Sequence, residues 1–310
     1  MQVKTAITAE HLVKKFGDST VVNDMSFAVK TGEVFGLLGP NGAGKTTTLR
    51  MITTLLKPTS GNVTIFGHDV RKEGRLARSM FGLTGQYASV DEDISAQENL
   101  MIFARLNGLT RFEAKYRTAE LLDEFSLADV AKKSLKDFSG GMRRRLDLAV
   151  SLITRPALIF LDEPTTGLDP RTRTQMWKTI RNLVNQGSTI VLTTQYLDEA
   201  DALADRIAVI DHGRMVKIGT PNELKQEIGG VTLKLTLVKE QEKSTAQQLL
   251  SQEIDKQIQV NDGQLTAHLK DANQVMNLLA RLQTANVQVR DIDIQKPTLD
   301  DVFFELTEKK

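Results

Sequence analysis

The chain has 310 residues, of which 25% are charged and 40% hydrophobic, and its formal net charge is +1. That size fits about two domains with an ordinary core, and the near-neutral balance gives no global electrostatic case for nucleic acid or an anionic membrane surface as partner. With no cysteine at all, disulfides, thiolate metal sites and a thiol nucleophile are excluded, and a reducing compartment is the natural fit.

The first residues, Met1-Gln2-Val3-Lys4-Thr5, lack the apolar segment of a signal peptide. No apolar run approaches the roughly eighteen residues of a spanning helix, so any work at a membrane is expected to go through a partner. Alternating segments over 6–13 and 21–29 predict antiparallel strands, and 33–38 a short apolar strand. Leu49, Met51, Ile52, Leu55 and Leu56 predict a helix over 47–56. Between strand and helix lies Gly39-Pro40-Asn41-Gly42-Ala43-Gly44-Lys45-Thr46, which fits the phosphate-loop pattern G-x-x-x-x-G-K-[ST] at every fixed position. The glycines let backbone wrap a polyphosphate, and the N–H groups opening the helix favour negative charge. Lys45 is the candidate partner of the β- and γ-phosphates, and the Thr46 hydroxyl a candidate Mg²⁺ ligand. Asn41, Gly42, Gly44 and Thr47 complete the candidate nucleotide-binding loop.

From 91 to 136 the pattern turns helical, with Leu100, Ile102, Phe103 and Leu106, then Leu121, Leu122, Phe125 and Leu127. This is read as a helical insertion in an α/β core. Two apolar strands, 157–161 and 189–193, flank a helix over 171–184, and strands alternating with helices imply a mostly parallel sheet covered on both faces. Past Gly229-Gly230 the period becomes two at Val231, Leu233, Leu235 and Leu237. A helix near 245–254 follows, then Ile258 and Val260, the hairpin signal Asn261-Asp262-Gly263, and Leu265, Ala267 and Leu269. A helix over 272–282 and a last strand with Val287, Val289, Ile292 and Ile294 give the order β-α-β-β-α-β, a ferredoxin-like module. Thr298 is a candidate cap for a short terminal helix.

Residues 158–163, Leu-Ile-Phe-Leu-Asp-Glu, form an apolar strand ending in two carboxylates. Such a strand belongs inside the sheet, bringing Asp162 to its carboxyl end near the phosphate loop, where it can hold Mg²⁺ or a Mg²⁺-bound water. Glu163 then stands where a base can orient or deprotonate the water that attacks the γ-phosphate. Alone, the pair reads equally well as two acids opening a loop; beside a full phosphate loop the catalytic reading leads. Ser139-Gly140-Gly141 before the helical pattern of 142–153 makes a second anion-binding helix start, or an ordinary N-cap with flexible glycines. Arg143-Arg144-Arg145 is read by default as a solvated basic face, with reinforcement of the positive field at that helix start as the alternative.

With these pieces in order, residues 6–225 resemble the ATP-binding subunit of ATP-binding-cassette (ABC) transporters. Phe138-Ser139-Gly140-Gly141-Met142 stands in the place of that family's signature, and Gln86 in that of the Q-loop glutamine. Phe16 matches the aromatic that stacks on adenine, Gly167-Leu168-Asp169 the D-loop, and Leu161-Asp162-Glu163-Pro164 the Walker B segment with its catalytic glutamate. The C-terminal module, with Pro297-Thr298-Leu299-Asp300-Asp301-Val302-Phe303, resembles the accessory domain of the daunorubicin-resistance-type exporters. The resemblance implies a P-loop cassette over 1–228, with an antiparallel β subdomain and a helical subdomain at about 87–137, and a ferredoxin-like α+β domain over 229–310. It implies ATP and Mg²⁺ as cofactors, with Thr46, Gln86 and Asp162 around the metal and Glu163, Gln195 and Gln86 in catalysis.

Two departures stand out. The signature has Phe138 and Met142 where Leu and Gln are usual, and the switch histidine expected after Thr193-Thr194 is Gln195. A glutamine can hydrogen-bond a γ-phosphate but cannot become cationic near neutral pH. The resemblance implies that such Gln-containing sequences recur in the drug-resistance subfamily. It also implies a head-to-tail homodimer, docking on separate membrane permease subunits at the cytoplasmic face, and ATP-driven export of a drug-like or hydrophobic compound without nucleic acid. The competing expectation is a soluble, non-transport ABC ATPase acting on ribosomes or DNA. Such relatives typically carry tandem cassettes or long coiled-coil arms, and this chain has one cassette and no heptad run. A regulatory ATP-binding module is the third, and intact Lys45, Asp162 and Glu163 argue against it.

Overall fold

The two opening alternations become strands β1 (Thr5–Phe16) and β2 (Ser19–Lys30), paired antiparallel. A computed structural model describes residues 4–84, 90–228, 230–253, 259–261 and 264–307. Strand β3 (Val34–Leu38) is buried along its whole length and leads through the phosphate loop into helix α1 (Lys45–Ile52). That helix begins earlier and ends earlier than its apolar pattern predicts. Gly44 caps its start, Thr53 closes it, Thr54 turns to φ 65°, and Leu55 is left exposed. The chain continues through β4 (Ser60–Ile65), β5 (His68–Asp69), α2 (Gly74–Ser79) and β6 (Phe81–Thr84).

The insertion contains α3 (Ala96–Leu106) and α4 (Arg111–Glu124). Both open on full capping boxes, Ser95 with Glu98 and Thr110 with Glu113, which satisfy backbone donors that a helix start would otherwise leave unpaired. Helix α5 (Gly140–Ser151) returns the chain to the sheet at β7 (Leu158–Asp162), followed by α6 (Pro170–Asn185), β8 (Thr189–Thr194), α7 (Leu197–Leu203), β9 (Arg206–Asp211) and β10 (Arg214–Gly219).

Two sheets result. The smaller, β2-β1-β4-β5, is antiparallel. The larger runs β10-β9-β3-β8-β7-β6, parallel throughout except for β10 at its edge. Alternate residues of its inner strands feed opposite cores. Ile159 and Leu161 of β7 join the cluster formed with α3–α6, while Leu158 and Phe160 join that of β1, β2, β4 and α1. Burial on both faces is why these strands read as unbroken apolar runs.

The chain forms two compact units, Met1–Pro221 and Asn222–Lys310, so nearly all of α8 (Pro221–Ile228) falls in the second. There β11 (Val231–Leu237), α9 (Lys243–Glu253), β12 (Gln259–Asn261), β13 (Gln264–Leu269), α10 (Ala272–Thr284) and β14 (Val289–Gln295) follow the predicted β-α-β-β-α-β order. Helix α11 (Leu299–Thr307) closes the unit, with Thr298 and Asp301 bonded reciprocally at its start. The sheet is antiparallel in the order β12-β13-β11-β14. The predicted turn at Asn261-Asp262-Gly263 reaches residues outside those described. The apolar residues of the last strand change phase between Val289 and Ile292, and the pairing with β11 shifts register at that place, a bulge inserting one residue.

Ile292 and Ile294 lie opposite Leu235 and Leu233 and therefore on the same sheet face. Yet they are exposed at the edge strand, while the two leucines are fully buried. Leu278→Ala, in the core beneath, should cost about 2–5 kcal/mol. Ile292→Ala should cost about 0.5 kcal/mol or less. Urea denaturation of the full chain measures both, and equal losses would contradict this placement of β14.

Candidate active site

The phosphate loop is shaped by sterics before any ligand is considered. A Cβ on Gly39 would collide with the carbonyl of Ile210, and one on Gly44, held at φ 100°, would come 2.7 Å from the carbonyl of Val21. Only glycine fits either position. The Val21 contact also fixes the β1–β2 hairpin against the loop. Phe16, paired with Ser19 at the end of that hairpin, is half exposed with the Lys14 ammonium 4.9 Å from its ring centroid. Lys45 is buried, and its Nζ donates to the carbonyls of Gly39 (2.7 Å) and Pro40 (2.9 Å). Burial pushes the pKa of this ammonium down, against the Glu163 and Asp162 carboxylates, which raise it. Two neutral carbonyls are weak partners for such a cation, and a phosphate oxygen is a stronger one.

Strand β8 lies between β3 and β7, so its end threads between the phosphate loop and the two carboxylates. Asp162 Oδ1 accepts from Thr193 Oγ1 at 2.5 Å and from Thr46 Oγ1 at 3.1 Å. The 3.1 Å separation matches the roughly 3 Å between neighbouring corners of an octahedral Mg²⁺ with ligands at about 2.1 Å. Among the described residues no cluster of three or more His, Cys, Asp or Glu could hold a metal ion. One hydroxyl and one carboxylate, leaving positions for phosphate and water, is the sparse donor set that Mg²⁺ tolerates.

Glu163 has φ 49°, a left-handed conformation that a non-glycine residue adopts only when its surroundings hold it there. Its N–H donates to both the carbonyl and the hydroxyl of Thr193, each at 3.1 Å. Its carboxylate accepts from Thr166 Oγ1 at 3.2 Å and lies 3.9 Å from Lys45 Nζ. Gln195, just past β8, is half-buried, next to the strand whose Thr193 and Thr194 pair with Asp162 and Leu38. Lys45, Thr46, Asp162, Glu163 and Gln195 thus follow or end the interior strands β3, β7 and β8, at the carboxyl end of the sheet. Gln86 lies outside the described residues.

Ser139 caps α5, accepting from the Met142 N–H at 3.3 Å, with Gly140 and Gly141 in the first turn. The following arginines depart from the expected solvated face, because consecutive helical positions point about 100° apart. Arg143 pairs with Glu92 at 2.8 Å, and Arg145 donates to the carbonyls of Phe125 and Ser126. Arg144 turns inward to the carbonyls of Asp162, Glu163 and Pro164. Spacing alone does not separate the three, since Arg144 stands four residues before the buried Leu148 and Arg145 four before the buried Ala149. Sequence reading also passed over Glu199, fully buried on α7, which accepts from Thr165 Oγ1 (2.7 Å) and Trp177 Nε1 (3.3 Å). Burial pushes that carboxyl's pKa up, against hydrogen bonds from Thr194, Thr165 and Trp177.

Fold and site together define a phosphate-loop nucleotide-binding cassette. The family described as ABC transporter matches residues 22–166, and that described as ATP-binding protein DrrA1-3-like, C-terminal domain, matches residues 219–307. The chain is 48% identical over 308 residues to the daunorubicin/doxorubicin resistance ATP-binding protein DrrA of Streptomyces peucetius, covering 99% of this chain and 93% of that one. It is 36% identical to the linearmycin resistance ATP-binding protein LnrL of Bacillus subtilis, covering 97% and 98%. Among solved structures, cbiO1 from Clostridium perfringens, part of the ABC transporter complex cbiONQ, superposes with a TM-score of 0.67 at 26% identity, over 73% of this chain and 92% of that one. The chain belongs to the ATP-binding proteins of ABC transporters, in the daunorubicin-resistance group. Its activity is the ATP hydrolysis that powers such transporters.

Asp147, on α5 beside Arg144, has its carboxyl pushed up from the ordinary 3.8 to about 6 by burial, which the Arg144 charge only partly offsets. A raised acid favours the folded chain while protonated. Its contribution is complete below pH 3.8 and is lost as pH climbs to about 6. The melting temperature of Asp147→Asn relative to the wild type should therefore rise between pH 4 and 6 and then level off. A pH-independent difference would contradict the burial of this carboxyl.

Proposed function

We propose that this chain hydrolyses Mg·ATP at a site shared between two head-to-tail copies, and so drives export of a drug-like or hydrophobic compound through a separate membrane permease. Lys45 and the amides of Asn41, Gly42, Gly44, Thr46 and Thr47 hold the phosphates, with Phe16 against the adenine. Thr46, Asp162 and Gln86 surround Mg²⁺, which supplies positive charge to the β- and γ-phosphates. Glu163 is the base for the attacking water, and the Gln195 amide donates to the γ-phosphate. Ser139, Gly140 and Gly141 of the second copy close over the same nucleotide. ATP then bridges the copies, and losing the γ-phosphate removes contacts made only in the closed state, which is what lets hydrolysis reopen it.

One observation carries the permease part. In the insertion, Leu100, Ala104, Leu121 and Leu122 form core, but Ile102, Leu106, Phe112 and Tyr116 are 48%, 76%, 82% and 70% exposed. They form two i, i+4 pairs at the end of the α3–α4 hairpin, and an exposed apolar cluster on a charged chain marks an interaction surface. No helix among the described residues is long and apolar enough to cross a membrane. The resistance proteins named above support a drug-like cargo, and a permease at the inner membrane face would hold the chain there.

Glu163→Gln should bind ATP, lose about 10²–10⁴-fold in turnover and accumulate as dimers in gel filtration with ATP. Wild-type turnover would remove Glu163 as the base. Tagged Glu163→Gln protein, captured with ATP from detergent-solubilised native membranes, should bring down a polytopic membrane protein at near-equal stoichiometry. Ribosomes, DNA-associated factors or no partner would overturn the permease reading. Gln195→Ala should lower kcat by up to about 10² while ATP affinity holds, and unchanged kcat would exclude Gln195 from the reaction.

A further inference from the structure

The strained turn at Glu163 is held from two sides. On the sheet side Thr193 takes its N–H. On the other side three successive carbonyls face a single guanidinium. Arg144 Nη2 donates to Asp162 O at 2.7 Å and to Glu163 O at 3.1 Å, and Nε donates to Pro164 O at 3.1 Å. A planar fork of donors suits such a row of acceptors, and an ammonium does not. The crevice around it, lined by Thr84, Leu148, Leu161, Pro164 and Met176, is too tight for a water molecule to share the work.

Arg144 stands one helical turn past Gly140, in the helix that opens at Ser139. A second contact ties that helix to the same region. A Cβ on Gly141 would come 2.5 Å from Thr172 Cγ2, and Thr172 is bonded through its N–H and hydroxyl to Asp169, the cap of α6. The start of α5 is therefore in direct contact with both the turn at Glu163 and the start of α6.

We propose that Arg144 is a positioning residue for hydrolysis, setting the angle at which Glu163 presents its carboxylate and making that angle depend on the seating of α5. Taken with the head-to-tail reading above, on which this step rests, the helix start that grips one nucleotide adjusts the base serving the other. The two sites of a dimer are then mechanically coupled inside each copy, and ATP turnover is cooperative.

The test uses the full-length chain, with phosphate release followed against ATP concentration and ATP affinity measured separately by equilibrium dialysis. Arg144→Met, similar in length but without donors, should lose at least tenfold in kcat with ATP affinity within twofold of wild type, and its Hill coefficient should fall to one. Arg144→Lys should recover part of the kcat. Wild-type kcat in Arg144→Met would overturn the proposal, as would a loss confined to ATP affinity. A wild-type Hill coefficient of one would overturn the coupling. If Arg144→Met melts early, Arg144→Lys decides: reduced kcat at unchanged affinity supports the role, and unchanged kcat removes it. Glu163→Gln, run in parallel, separates the two ideas. Wild-type turnover there defeats the choice of base, whereas an inactive Glu163→Gln beside a fully active Arg144→Met defeats only the positioning role.

Discussion

A single carboxylate oxygen takes hydrogen bonds from both the first turn of α1 and the end of β8. Asp162 Oδ1 accepts from Thr46 and from Thr193, so the phosphate loop, the strand carrying the acids and the switch strand share one reference point. This is possible because β7 is buried on both faces and cannot shift without opening two cores. The next residue inherits that fixity. Glu163 is placed by the strand before it, by Thr193 beside it and by Arg144 behind it, and the left-handed conformation at this position is the visible sign of how firmly it is held.

Much of this was legible in the sequence, and for definite reasons. The phosphate loop announces itself because close backbone approach admits only glycine at Gly39 and Gly44. The acids at 162 and 163 were legible because a strand buried on both sides leaves no other polar residue in its run. Helix ends were less legible: Leu55 fits the period of α1 but lies beyond the turn at Thr54. Arg144, Thr193 and Glu199 were the hardest, since each acts through backbone or buried hydroxyl groups that sequence spacing does not display. Three adjacent arginines look alike on paper, and only the packing of α5 assigns them three different tasks.

The C-terminal unit shows the limit of pattern reading in another form. Its strand order follows directly from alternation and turn signals, and even the phase break near Arg290 has a physical cause in the shifted register. But alternation reports which face a side chain is on, not whether anything covers that face. Leu235 and Ile292 are neighbours across the ladder, one buried and the other exposed, because β14 is the outermost strand.

The buried carboxyl of Glu199 has an optical corollary. It touches the indole of Trp177, and Trp177 is the only tryptophan in the chain. The same carboxyl accepts from Thr165, two residues beyond Glu163. Tryptophan emission from the unlabelled protein therefore comes from one ring that shares a hydrogen-bond acceptor with the loop following Glu163. The indole is thus one shared acceptor away from that loop, which makes it an intrinsic fluorophore placed beside the site.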